Sequence, residues 1–229
     1  MSTTFILSGK GPVLNSFYNP PIYLEENGGY VIGLTNFETF NNIPNIDETN
    51  NKFYYDDDDK VIEIPVGAYE VKDIMYFLQT EMNQRLISIR MSANNNTGKM
   101  IIRCSKKINF DKANSVGNIL GFQNTKFIPA NMTVESDSPI KITNVNSICI
   151  DCNITGGSFS NGEESHIVHE FSTTVPVGYK IVEVPQNIIY LPVTVKTITN
   201  LKVQILDQEG RIINLRDEIV TVRLHLKKL

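Results

Sequence analysis

The feature that most constrains the fold is a succession of short runs in which apolar and polar residues alternate, separated by turn residues. Examples are YVIGLTNFETF (Tyr30–Phe40), KVIEIPV (Lys60–Val66) and LISIRMSA (Leu86–Ala93). A period of two residues predicts β-strands with one buried face. Later runs continue the pattern: SICIDCNI, SHIVHEFSTTV, YKIVEVP, NIIYLPVTV, LKVQILD, RIINL and EIVTVRLHL. Many short strands without strand–helix–strand alternation favour an all-β sandwich, and a jelly roll above other β architectures.

Two hairpins and one helix can be located within this pattern. The Asn- and Gly-rich NNNTGKM connects Leu86–Ala93 to Met100–Cys104, and LDQEGRIINL turns at Glu209-Gly210; both read as β-hairpins. The stretch from Gly67 to Leu86 instead has apolar residues three and four apart, which predicts an amphipathic helix facing the core. The stripe consists of Val71, Ile74, Met75, Leu78 and Met82, with Phe77 beside it. A second, shorter helix is predicted within ANSVGNILGF (113–122), so the connections should hold one or two short helices.

The bulk properties exclude several classes of protein. The 229 residues carry a net charge of −4, and basic pairs are too sparse for a nucleic-acid surface. No apolar run approaches the roughly 20 residues of a membrane span, and the N-terminus lacks the features of a secretory signal. Three cysteines do not form a disulfide framework. We therefore expect a protein made inside the cell without a secretory signal, with no direct nucleic-acid partner and no membrane span.

The domain organisation is expected to be simple. Residues 1–29, with Pro20-Pro21 and Gly28-Gly29, are interpreted as an extended N-terminal arm. Residues 30–229 are expected to form a single jelly-roll domain, in which the Asn- and Asp-rich stretch at about 43–60 is a loop inserted between strands rather than a domain boundary.

One stretch, Ser147 to Phe171, contains both halves of a possible zinc site. Cys149 and Cys152 form C-x-x-C, and His166 and His169 form H-x-x-H. Zinc needs such pairs brought to one side, but strand residues three apart point to opposite faces. Ile148, Ile150, Cys152 and Ile154 should form the apolar face. The pattern therefore indicates strand residues rather than zinc ligands.

The other candidate sites are equally weak. His166, His169 and the distant His225 lack the histidine spacing of a cupin metal site. His169 and Glu170 are a weak candidate for acid–base catalysis, because adjacent side chains on a strand point away from each other. The acidic YYDDDDK (54–60) lacks the alternation and glycine of a calcium loop and is interpreted as a solvated turn. TGGSFSNG (155–162) and Asp207–Gly210 are also interpreted as turns. We predict no catalytic, cofactor-binding or metal-binding residues, no cofactor, and no enzymatic activity.

The C-terminal half supports a more specific interpretation. It contains HIVHEF (166–171), PVGYKIVEVP (176–185), IYLPV (189–193), ILDQEGRIINLR (205–216) and VTVRLHLKK (220–228). Upstream lie KVIEIPVGAYEVKDIMYFLQ (60–79), NILGF (118–122) and VNSICIDCNITGGSFSNG (145–162). Together these pieces resemble the penton, or minor capsid, protein of Maverick/Polinton elements and adintoviruses.

The resemblance implies a single jelly roll of two packed four-stranded antiparallel sheets that assembles as a homopentamer. Such pentamers occupy the fivefold vertices of an icosahedral capsid, next to a double-jelly-roll major capsid protein. The implied location is the virion capsid.

Two strands fit such a structural role. In GYKIVEVP, Ile181 shares one face with Tyr179 and Glu183, and Lys180, Val182 and Val184 form the other, so one face can line the core while the other meets a neighbour. In VTVRLHLKK, Val220, Val222, Leu224 and Leu226 should point inward and His225 outward.

Three alternatives remain open at this point. The first is a jelly-roll module that binds a receptor or glycan, including a trimeric one; Tyr54, Tyr55 and Phe159 are the suggestive aromatic residues, and tryptophan is absent. The second is a metal-dependent or cupin-like enzyme. The third is a cellular protein domesticated from the capsid gene.

Overall fold

The computed structural model describes residues 2–25, 28–142 and 145–229. The chain divides into two compact units, of which the first contains Met1–Ile43 and Val145–Leu229 and the second Pro44–Asn144. The second unit is therefore an insertion in the sequence of the first.

The elements follow in chain order. The first unit begins with β1 (Ser2–Lys10), β2 (Val13–Tyr23) and β3 (Tyr30–Phe40). The inserted unit contains β4 (Lys52–Tyr55), β5 (Lys60–Glu63), α1 (Val71–Gln84), β6 (Ile89–Ala93), β7 (Met100–Cys104), β8 (Ile108–Asn109), a 3-10 helix (Val116–Asn118), β9 (Phe127–Ile128) and β10 (Thr133–Glu135). The first unit resumes with β11 (Ile148–Cys152), β12 (Ser158–Ser160), β13 (Glu163–Ser165), β14 (Ile167–Phe171), β15 (Lys180–Glu183), β16 (Leu191–Pro192), β17 (Thr197–Asp207) and β18 (Ile219–Lys228).

The first unit is a jelly roll. One sheet has the order β1-β18-β3-β15, with the short β16 also on β3, and the other has the order β14-β11-β17-β2. Every pairing in them is antiparallel. Of the eight principal strands in chain order, the first, third, sixth and eighth form one sheet and the rest form the other, which is the jelly-roll arrangement. The prediction of an all-β jelly-roll sandwich is confirmed.

The core of the jelly roll lies between its two sheets. On β18, Val220, Val222, Leu224 and Leu226 are fully buried, and they pack with Ile148, Ile150 and Cys152 of β11. The predicted inward faces of these strands are thereby confirmed. Burial of each such side chain contributes about 1.5–3 kcal/mol to stability. The apolar residues of the alternating strands therefore hold the two sheets together.

The inserted unit has its own core. Its sheets are β10-β7-β6 and β5-β4-β8-β9, and α1 buries Ile74, Leu78 and Met82, which confirms the predicted core-facing stripe. The predicted hairpin is β6–β7. The second predicted helix is shorter than expected, a single 3-10 turn at Val116–Asn118, because Gly117 within the turn and Gly121 after it weaken helix formation.

The structure differs from the expected domain organisation at two places. Within the expected arm of residues 1–29, Ser2–Lys10 and Val13–Tyr23 are strands of the two jelly-roll sheets; Met1, Glu26 and Asn27 lie outside the described residues. The expected loop at 43–60 spans the division between the units and includes β4. Both units are β-rich, so no change of composition marks the division. None of the described helices has the length and apolarity needed to cross a bilayer.

Candidate functional site

The cysteines of the possible zinc site lie on opposite faces of β11. Cys152 belongs to the jelly-roll core, whereas Cys149 is buried on the other side of the sheet, opposite Glu170 and Leu206. Burial raises the pKa of Cys149 and Cys104, and raises the pKa of Cys152 to about 12. A thiol must lose its proton to bind zinc, so this environment disfavours the ligand form. Within the described ranges, no three His, Cys, Asp or Glu side chains gather as a metal site requires.

The histidines of the same stretch have separate partners. The Nδ1–H of His166 donates to the carbonyl oxygen of Thr155, and the Thr155 hydroxyl donates to the His166 carbonyl oxygen at 2.9 Å. His169 Nε2 lies 2.9 Å from Glu183 Oε1 on β15, while its sequence neighbour Glu170 is exposed. The structure therefore brings His169 together with a carboxylate that sequence adjacency did not identify.

His225 lies on the outer side of β18, as predicted. Its Nε2 is 2.8 Å from Ser2 Oγ, and its Nδ1 is 2.8 Å from the Tyr190 hydroxyl oxygen. The Lys227 ammonium lies 3.8 Å from the centroid of the Tyr190 ring. Both ring nitrogens of His225 are engaged in hydrogen bonds, so this group ties the chain N-terminus and Tyr190 to β18.

The acidic turn between β4 and β5 directs its carboxylates to separate lysines. Asp56 lies 3.0 Å from Lys60 and 3.2 Å from Lys106, and Asp59 lies 3.0 Å from Lys112. Hydrogen bonds from Lys60, from the Asp57 backbone and from Lys106 lower the pKa of Asp56 to about 2. Asp57 and Asp58 are exposed, as expected for a solvated turn, whereas the ion-paired Asp56 and Asp59 are half-buried.

Asp207 ends β17 and organises the turn predicted at Asp207–Gly210. Its buried carboxylate accepts hydrogen bonds from the backbone N–H groups of Glu209 and Arg211, both at 2.9 Å, and from Arg211 Nε at 2.7 Å. Burial alone raises the pKa of Asp207, but the hydrogen bonds from Arg211 and Glu209 outweigh it and hold the pKa below its ordinary value.

Replacing Asp207 by alanine is expected to lower the free energy of unfolding by about 1–3 kcal/mol, because backbone donors lose a buried acceptor. Since the folded pKa is depressed, the contribution of Asp207 is present above the unfolded pKa of about 3.9 and is lost as pH falls through the lower folded value. Urea denaturation from pH 7 to pH 2 measures the difference between the two proteins. Glu209→Ala is the matched control, since its 2.9 Å ion pair with Arg211 is exposed. A difference between Asp207→Ala and wild type that stays constant across this pH range would contradict the assignment.

The aromatic residues considered as a ligand platform are mostly unavailable. Tyr55 is buried, and the half-buried Tyr54 donates its hydroxyl proton to the Ala113 carbonyl oxygen at 3.1 Å. Phe159 alone of the three is largely exposed, at 72%. No local sequence pattern identified the other exposed aromatic residues, which are Phe17, Tyr23, Phe40, Tyr76, Phe127 and Tyr179.

The outer side of the β1-β18-β3-β15 sheet has exposed apolar side chains among polar ones, and we call it face A. Ile6, Phe40, Val182 and Ile219 are exposed there, and strand pairing sets Ile6 opposite Arg223 and Val182 opposite Glu38. Ile181, next to Val182, is buried in the core. The two apolar sides predicted for the 178–185 run are thus both present.

The outer side of the β14-β11-β17-β2 sheet also has apolar side chains, and we call it face B. Val13, Phe17 and Tyr23 of β2 are exposed on it, and pairing sets Phe17 opposite Asn200 and Val13 opposite Gln204. Asp151 is half-buried on this face; burial raises its pKa, although His166 and Lys202 act in the opposite direction. Large exposed apolar patches mark interaction surfaces, so both sides of the jelly roll are candidates.

Comparison with known proteins shows a similarity of fold. No protein-family model matches the chain, and no curated protein matches it. A solved structure, the crystal structure of the selenomethionine-labelled mavirus penton protein, is similar over 100% of both chains, with a TM-score of 0.53 and 10% sequence identity. At this low identity the similarity concerns shape alone, and it shows that this chain has a distant penton-like fold.

Proposed function

We propose that the protein is a penton-type minor capsid subunit, of the kind found in Maverick/Polinton elements and adintoviruses. In this role it assembles into homopentamers at the fivefold vertices of an icosahedral capsid and contacts a double-jelly-roll major capsid protein. The observation that carries the proposal is the jelly-roll strand order in a chain whose fold is similar, over its whole length, to that of a penton protein.

Two further observations support a structural role. The sequence pieces that resemble penton proteins include β11, β14, β15, nearly all of β18 and the end of β17, which are jelly-roll strands. The side chains that could have formed an active site have structural partners instead: His169 contacts Glu183, and His225 contacts Ser2 and Tyr190. A capsid subunit works through shape, burial and complementary surfaces, and it needs no reactive group.

A pentamer of identical subunits imposes a geometric condition. Five copies close a ring through a heterologous contact, in which one surface of each copy meets a different surface of the next. The exposed apolar residues of faces A and B offer two distinct surfaces on opposite sides of the same sandwich.

Light scattering coupled to size-exclusion chromatography tests the proposal on the purified full-length chain near neutral pH. The expected species has about five times the chain mass of 25.8 kDa, as ring closure of five copies requires. A trimer would favour a receptor- or glycan-binding module. A protein that remains monomeric up to the highest soluble concentration would contradict self-assembly into pentamers.

A further inference from the structure

The two sheets of the jelly roll have four outer strand edges, and β1 is the least protected of them. β15 is only four residues long, β14 has a register shift, and β2 contains Pro20 and Pro21. Short strands, irregularities and prolines are the devices that block unwanted strand pairing at an edge. β1 instead pairs with β18 over nine residues without a register shift and has no charged residue before Lys10. An unprotected edge of this kind is a ready site of contact with another chain.

Face A has a basic excess. Lys10, Arg223 and Lys227 lie on it, together with Lys180, whose ammonium is 2.5 Å from the carboxylate of Glu38. Glu38 is the only carboxylate on this side of the four described strands. If face A met a second face A, these cations would oppose one another, and such contacts between like charges are disfavoured.

Face B has an acidic excess. Asp151 and Glu170 lie on it with Lys202 as the one basic residue of its described strands. Asp151 is already half-buried, and a carboxylate becomes costly to bury further unless a cation approaches it. Face A supplies such cations, and both faces have exposed apolar side chains near the charges.

We propose that face A of one copy packs against face B of the next copy, and that β1, the edge strand of face A, lies within the contact. The inference rests on the proposed pentamer and names the two surfaces that close it. Apolar contact by Ile6 and Ile219 on one side and by Phe17 and Val13 on the other supplies the buried area, while the opposite charges set the orientation. Because the faces differ, the contact repeats head to tail, which is the kind of contact that a closed ring requires and a twofold dimer does not use.

Three double variants of the full chain test the pairing. Ile6→Glu with Ile219→Glu blocks face A, and Phe17→Glu with Val13→Glu blocks face B. Phe159→Glu with Tyr76→Glu is the matched control, since both aromatics are exposed and lie outside the two faces. Melting followed by circular dichroism checks that each variant folds. If the face A variant does not fold, Lys10→Glu with Arg223→Glu replaces it.

The expected result is a monomer for each blocked variant and a pentamer for the control and the wild type. Mixing the two blocked variants is expected to give a 1:1 dimer, because one partner retains an intact face A and the other an intact face B. The dimer cannot grow, since its remaining faces both carry the introduced glutamates.

Each other outcome overturns something specific. A pentameric wild type with blocked variants that still form pentamers would refute the A–B contact and leave the proposed function standing. The pairing of these faces would also be refuted if the face B variant formed oligomers by itself, or if the mixture of the two blocked variants contained only monomers. A monomeric wild type would refute the proposed function and the inference with it.

Discussion

Replacing Phe37 by alanine is expected to lower the free energy of unfolding by about 3–5 kcal/mol, the usual cost of removing a fully buried aromatic side chain. Phe37 is completely buried in the jelly-roll core, and its ring centroid lies 5.3 Å from that of Phe171 on the opposite sheet. The variant loses both the transfer free energy of the ring and the packing around the cavity. Domains are stable by about 5–15 kcal/mol, so the loss is a large part of the total.

Urea denaturation followed by far-ultraviolet circular dichroism measures this effect, since the chain has no tryptophan for fluorescence. Phe159→Ala is the matched control. It removes the same side chain from a position where 72% of the residue is exposed, and we expect a change within about 0.5 kcal/mol. Equal losses in the two variants would mean that Phe37 is not at the centre of the cooperative core.

The parts of the fold that local patterns determine were predictable. Val220, Val222, Leu224 and Leu226 alternate with polar neighbours, and each is buried as the alternation requires. Ile74, Leu78 and Met82 are spaced for one face of a helix, and they form the buried stripe of α1. In these segments a single buried face leaves only one consistent secondary structure.

Two strands escaped prediction because their local pattern is weak. Residues of β1 are mostly Ser, Thr and Gly around Phe5 and Leu7, and β2 contains Pro20-Pro21. Tertiary pairing overrides these propensities, as β1 lies beside β18 with Ser2 opposite Lys227. Such a pairing joins the two ends of the chain, and no local pattern encodes it. The prolines of β2 are tolerated because this strand lies at the edge of its sheet, where a missing donor costs little.

The side chains that contact His169 and His225 could not be identified from local sequence patterns either. Glu183 contacts His169 and Tyr190 contacts His225 because β15 and the segment before β16 return beside other strands. The sequence identified the histidines as notable and placed His225 on a polar side, but it offered no basis for naming either partner. The sequence also does not reveal the division between the two units, because strand-forming sequence occurs on both sides of it.

Replacing Gly121 by alanine is expected to cost more than about 3 kcal/mol, because strain from a left-handed backbone and overpacking each contribute about 1–3 kcal/mol. Gly121 has φ of +87°, and a Cβ atom there would lie 2.2 Å from the carbonyl oxygen of Ser138. The two residues cannot separate freely, since the Ser138 backbone N–H and hydroxyl both donate to the Gly121 carbonyl oxygen at 3.1 Å. The methyl group must therefore break these bonds or displace the neighbouring buried residues Leu120 and Phe122.

Gly162→Ala separates the two causes. Gly162 has a nearly identical φ of +89°, but a Cβ atom there meets nothing within 4 Å, so its expected cost is the backbone strain alone, about 1–2 kcal/mol. Urea denaturation of both variants gives the steric contribution at Gly121 as the difference between them. If the free energy of unfolding falls by the same amount in both variants, the close approach of Gly121 to Ser138 does not hold this part of the inserted unit together. A larger loss at Gly121 shows instead that the bonded pair fixes the turn against the core of that unit, which only a residue without a side chain permits.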